Sequence, residues 1–95
     1  MEYEIMITED ADADLAVIER YLAQFYPGTP KRFRVEFERK MELLEYNPHY
    51  ARYSTLPHFR KINVGGYIVL FTVDEETRVV TIHHVRHGMR EPFGG

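Results

Sequence analysis

The sequence predicts an α+β domain of order β-α-α-β-β-β, a helical hairpin packed on a mainly antiparallel four-stranded sheet. Three observations carry this. Apolar residues alternate at the start, recur at spacings of three and four through two central stretches, and return to short β-rich runs joined by turn signals after residue 57. Helices and strands are segregated along the chain, which favours an α+β arrangement over an alternating α/β one.

Tyr3, Ile5 and Ile7 alternate with Glu4, Met6 and Thr8, the period of a half-buried strand. Thr8 or Asp10 can cap a helix over about residues 10–25, with acids in the first turn where the helix dipole favours them. Ala11, Leu15, Ile18, Leu22 and Phe25 form its inner stripe, and Tyr26-Pro27-Gly28 ends it. Thr29-Pro30 offers a capping hydroxyl followed by proline at the first helical position, where a missing N–H costs nothing. Phe33, Phe37, Met41 and Leu44 line the second helix, and Asn47-Pro48 stops it.

A polar, aromatic connector over 47–57 leads to a strand at about 58–64. Gly65-Gly66 is a two-residue hairpin turn. In the next strand, 67–74, Tyr67, Val69, Phe71 and Val73 share one face and Ile68, Leu70 and Thr72 the other. Both faces are apolar, which predicts a central strand. Asp74-Glu75-Glu76-Thr77 turns the chain into a last strand at 78–86.

The 95 residues are expected to form one domain over 1–95. Apolar residues at 44% are too many for a disordered chain. Cys is absent, which excludes disulfide and thiolate chemistry and fits a reducing compartment. No apolar run approaches the ~20 residues of a membrane span, and no signal peptide opens the chain, so a cytoplasmic location without a membrane partner is expected.

The net charge of −3 hides a segregation. Residues 1–19 hold seven acids and no Lys or Arg, whereas residues 46–73 hold Arg52, Arg60 and Lys61 and no acid. Either this asymmetry persists in space and one face suits an anionic partner, or the helix acids neutralise the bases within the fold.

The joints between elements resemble those of the RelE/ParE family of bacterial toxins. The similar features are an opening strand ending in Ile7-Thr8, the Asp14-Leu15-Ala16-Val17-Ile18 helix, and a second helix closing in Leu44-Glu45-Tyr46-Asn47-Pro48. Arg52, the Phe59-Arg60-Lys61-Ile62 strand, the Tyr67 to Asp74 strand and a final Val85-Arg86-His87-Gly88-Met89-Arg90 follow in order. The resemblance spans nearly the whole chain. It implies the toxin of a type II toxin–antitoxin pair, a class tied to plasmid stabilisation, in which a cognate antitoxin wraps the toxin. ParE-like members poison DNA gyrase, and RelE-like members cleave messenger RNA on the ribosome without a metal or cofactor.

The resemblance is closer to the ParE branch, or to an uncharacterised branch of the family, than to RelE. RelE-type cleavage would need groups that move protons and stabilise crowded phosphate charge, and the candidates are Arg60, Lys61, Arg86 and His87. Arg60 and Lys61 are adjacent on a strand, so at most one faces a shared groove. Active relatives often have Tyr-Arg opening the central strand, the arginine holding the scissile phosphate, where this chain has Tyr67-Ile68. A non-toxic binding module of the same fold is the further alternative. Arg52, Arg60, Tyr67, Arg86 and Arg90 are the residues expected to bind an antitoxin, acids on the partner pairing with the arginines. His83-His84 with His87 suggests a metal site. Neighbouring strand residues point oppositely and no carboxylate or Cys completes the set, so none is expected.

Overall fold

The computed structural model describes residues 2–88. Arg90 and the rest of the C-terminal tail lie outside the described residues. The chain runs β1 (Glu4–Ile7), α1 (Glu9–Leu22), α2 (Thr29–Tyr46), a 3-10 turn (Pro48–Tyr50), β2 (Arg52–Tyr53), β3 (Arg60–Val64), β4 (Tyr67–Asp74) and β5 (Val79–His87). The strands form one sheet in the order β1-β5-β4-β3-β2, so β4 is central as its two apolar faces required. The β1–β5 pair is parallel and the other three are antiparallel.

The fold class is the expected one, with a fifth strand. That strand is the two-residue β2, paired with β3 through Arg52–Lys61 and Tyr53–Arg60. Both of its residues are exposed, so no apolar alternation marks it. Residues 54–59 form a turn instead of extending β3. The Ser54 N–H donates to the Phe59 carbonyl at 2.9 Å, and His58 takes a left-handed φ of 69°.

Thr8 caps α1, its Oγ1 accepting the Ala11 N–H at 3.1 Å. The helix ends at Leu22, because residues 23–25 close in a turn whose Phe25 is exposed. At α2 the capping position falls on Gly28, which makes no side-chain cap. Thr29 lies inside the first turn, and its Oγ1 accepts a hydrogen bond from Arg32 at 3.4 Å. The helices are fastened by Arg34 and Glu19, 2.6 Å apart.

The hairpin covers one sheet face. Phe33, Phe37, Met41 and Leu44 of α2 and Leu15 and Ile18 of α1 meet Tyr67, Val69 and Phe71 in a single core. Burying a side chain of this size contributes about 1.5–3 kcal/mol. Leu70 on the opposite face is also fully buried.

Past Ile82, β5 has no strand beside it on the β1 side, and α1 takes over. The Thr8 N–H donates to the Ile82 carbonyl at 3.1 Å and its hydroxyl to the His83 carbonyl at 3.3 Å. The Asp14 carboxylate accepts the Val85 N–H at 3.0 Å. Thr8 at the cap of α1 and Asp14 within it therefore satisfy backbone groups that an exposed edge would leave open.

Candidate partner-binding groove

The arrangement that seals β5 also opens a groove of about 370 Å³ between α1 and the last residues of the strand. Val17, Ile18 and Tyr21 form its helix wall, and Tyr67, Val85 and His87 its sheet wall. Val17 and Tyr21 are half exposed, one turn apart, beside the stripe that α1 buries in the core. His87 stands opposite Tyr67 across β4–β5, the rings meeting edge-on at 5.4 Å. Burial and then the neighbouring Tyr21 raise the Tyr67 hydroxyl above the ordinary tyrosine value, so it stays a neutral donor and acceptor.

A charged pair closes one end. Arg86 Nη1 donates to Asp14 Oδ2 at 2.6 Å, the same oxygen that accepts the Val85 N–H. The other guanidinium nitrogen lies 3.5 Å from His84 Nδ1. Arg86 is thus committed to an acid of its own chain, and a partner carboxylate must share or displace Asp14. Two acids of residues 1–19, Asp14 and Glu19, are thus taken up by Arg86 and Arg34, bases that lie outside residues 46–73.

The remaining candidates distribute over both faces of the sheet. Arg60 pairs with Phe71 and points to the helix side. Its guanidinium donates to the Ala51 carbonyl at 2.8 Å and the Tyr53 hydroxyl at 2.9 Å, and lies 4.1 Å above the Tyr53 ring. It borders a polar recess of about 200 Å³ with His49, His58 and Glu75. There Glu75 accepts the Tyr3 hydroxyl at 2.8 Å and pairs with His49 at 2.5 Å. The Tyr3 hydrogen bond is the main reason its carboxyl sits below the ordinary value.

Lys61 faces the other way, beside Arg52. Both line a shallow recess with Asn63 and Ile68. Across the sheet, Lys61, Leu70 and His84 form one row and Asn63, Ile68 and Arg86 the next. Lys61 and Arg86 therefore start from one face by register, but the Arg86 guanidinium turns to the α1 edge, where it lines the groove with His87, and Arg60 belongs to the helix side. The four residues do not converge in one groove.

The strict alternation assumed for the histidines fails locally. A bulge at His83 lets Leu70 pair with His84 and Phe71 with Ile82. His83 Nε2 lies 2.9 Å from Thr72 Oγ1 and its ring 5.0 Å from Phe59, so His83 and His84 both occupy the face away from the helices. Burial, then the neighbouring His84, lower the His83 pKa below the ordinary histidine value.

Sequence reasoning missed Asp14, Val17 and Tyr21 as groove residues and weighed His84 only as a metal ligand. Val17 and Tyr21 left a readable trace, an apolar pair at i,i+4 beside the core stripe. The pairing of Asp14 with Arg86 spans 72 residues and left none.

A helical hairpin on one face of a mainly antiparallel sheet is the fold of the RelE and ParE toxins. The chain is similar to a chain of the chromosomal ParDE system from P. aeruginosa, with TM-score 0.76 and 15% identity over 90% of this chain and 96% of that one. It is similar to a mutant of the E. coli toxin RelE in the free state, with TM-score 0.71 and 18% identity over 98% and 90%. The archaeal RelE–RelB complex from Pyrococcus horikoshii OT3 gives TM-score 0.68 and 19% identity over 96% and 100%. Comparison with curated proteins gives no match. The model of the family described as the ParE toxin of the type II toxin–antitoxin system parDE matches residues 5–92, and the chain belongs to that family. No helix among the described residues is long and apolar enough to cross a membrane.

Proposed function

We propose that this chain arrests growth by acting on DNA gyrase and is held silent by a cognate antitoxin, whose segment occupies the groove between α1 and β5. The observation that carries the gyrase reading is the dispersal of the ribonuclease candidates. Arg60 and His87 face the helix side of the sheet and Lys61 the other, Arg86 is turned to Asp14 at the α1 edge, and Ile68 lies on the open face. A phosphate cannot be gripped from both sides of a sheet at once. Family membership over residues 5–92 supports the same side. The groove suits an antitoxin segment because it offers Val17 and Tyr21 as exposed apolar anchors and ends in Arg86. Arg90 is a further contact for acids of that segment, whereas Arg52 stands on the open face at the β2 edge, away from the groove.

A second reading is a RelE-type ribonuclease on the open face. It is favoured by Lys61 and His84, which lie in one row across β3, β4 and β5, about 9–10 Å apart at the backbone.

The test is pulse labelling of new DNA and new protein minutes after the chain is induced alone in bacteria. DNA synthesis is expected to fall while translation continues. Collapse of translation first would replace gyrase with messenger RNA as the target. If neither falls while the folded protein accumulates, the chain is a binding module without toxicity.

A further inference from the structure

The polar recess of about 200 Å³ beside Arg60 lies at the far end of β4 from the α1–β5 groove. The 3-10 turn, the start of β3 and the turn after β4 bound it. Its charges are only half matched. Glu75 accepts the Tyr3 hydroxyl through Oε1 and pairs with His49 through Oε2. Each carboxylate oxygen keeps a second lone pair, so Glu75 can still accept from a ligand. Arg60 has no carboxylate within ion-pair reach among the described residues. Its bonds to the Ala51 carbonyl and the Tyr53 hydroxyl, with the Tyr53 ring beneath, fix the guanidinium plane and leave other N–H donors unused. Backbone strain gathers here too. Among the described residues, the non-glycine residues with left-handed φ are His58 at 69° and Arg78 at 58°. His58 lines the recess, and its imidazole makes no hydrogen bond or ion pair among the described residues. Arg78 lies 4.8 Å over the ring of Tyr3, whose hydroxyl donates to Glu75. Such conformations persist only where the surroundings impose them, and they cluster at ligand sites.

We propose that this recess binds a small sugar phosphate, its phosphate held by Arg60 and His58 and a sugar hydroxyl by Glu75. Arg60 sets the anionic end, because a fixed guanidinium with unused donors matches the oxygens of a phosphate. Glu75 sets the other end. A carboxylate repels a bare anion and accepts from a hydroxyl, so the ligand must carry both groups. Val73 supplies an apolar wall for the carbon skeleton. The volume falls below the roughly 300 Å³ at which pockets for drug-sized molecules begin, which favours a ligand of few atoms. A nucleic-acid strand would need further cations along its path, and Arg60 is the only Arg or Lys among the lining residues. The recess shares no residue with the α1–β5 groove, so this site stands or falls independently of the antitoxin and gyrase readings.

The probe is ribose 5-phosphate, compared with inorganic sulfate and with ribose. Binding to the full chain is read by calorimetry and by backbone amide shifts. The expected result is saturable binding at one site, with shifts centred on residues 49–60 and 73–75. Ribose 5-phosphate binds at least about tenfold tighter than sulfate or ribose. Arg60→Gln weakens it at least about tenfold, and Glu75→Gln narrows the preference over sulfate. Arg60 also braces β2, so His58→Gly is the independent check. Glycine takes a left-handed φ without strain, so this variant is expected to melt close to the parent while its affinity falls several-fold. Unchanged affinity in both Arg60→Gln and His58→Gly overturns the inference, as do shifts centred on Val85 and Arg86 or an absence of saturation at millimolar ligand. Sulfate that binds as tightly as ribose 5-phosphate overturns it in favour of an adventitious ion only. An RNA oligonucleotide that shifts these residues where ribose 5-phosphate does not overturns it in favour of nucleic acid.

Discussion

Asp14 joins the two ends of the chain through a single side chain. One carboxylate oxygen accepts the Val85 N–H and the Arg86 guanidinium, at 3.0 and 2.6 Å. Hydrogen bonds to a charged group contribute more than neutral ones, and the backbone N–H of Val85 depends on this acceptor. Asp14→Ala is expected to lower unfolding free energy by roughly 1–3 kcal/mol. Urea denaturation of Asp14→Ala, Arg86→Ala and the double variant measures it. The cycle should show a coupling of at least about 0.5 kcal/mol. Strict additivity would mean that Arg86 serves only the partner. The sequence offered half of this arrangement. It marked Arg86 as the base in the closing motif and placed Asp14 in an acid-rich stretch. No local pattern could pair them, because the contact exists only once β5 lies beside α1.

At the scale of elements, the legible parts were those whose period follows from a buried stripe. The two faces of β4 were read residue by residue, and both helices were found through their core-facing side chains. What stayed hidden depended on backbone geometry without an apolar signature. The strand β2 is two exposed residues. The α2 cap fell one residue early because Gly28 supplies the position without a side-chain bond. The bulge in β5 reversed the expected orientation of one histidine. That bulge has a measurable consequence. His83 is packed against Phe59 and hydrogen-bonded to Thr72, and burial, then His84, lower its pKa. A histidine with a lowered folded pKa binds fewer protons folded than unfolded. Its contribution is complete above the unfolded value of about 6.5 and is lost as pH falls from there through the folded pKa. Melting temperature should therefore fall with acidification below that point. His83→Gln, which keeps a hydrogen-bonding group near Thr72, should flatten the slope in that window. An unchanged slope would assign the acid sensitivity to another group.

The whole molecule separates its chemistry by face. The helix side holds one core, the α1–β5 groove and the Arg60 recess. The open side carries Lys61, Arg52, His83 and His84 around the buried Leu70 and Ile68. This division makes the two toxin readings separable by substitution, which the sequence alone could not do while Arg60, Lys61, Arg86 and His87 stood as one set. A ribonuclease on the open face needs its phosphate-stabilising and proton-moving groups there, and such groups each contribute about 10²–10⁴-fold to rate. Lys61→Ala/His84→Gln removes one group of each kind from that face, where Arg52 and His83 remain, and keeps both partners of the Asp14–Arg86 pair although His84 lies 3.5 Å from Arg86. If gyrase is the target through surfaces elsewhere, growth arrest on induction should persist within about twofold of the parent, with DNA synthesis still failing before translation. Arrest abolished in a variant that remains folded and melts normally would place the activity on the open face and overturn the gyrase reading. Arg60→Ala serves as the matched control, since it removes a cation from the opposite side of the same strand.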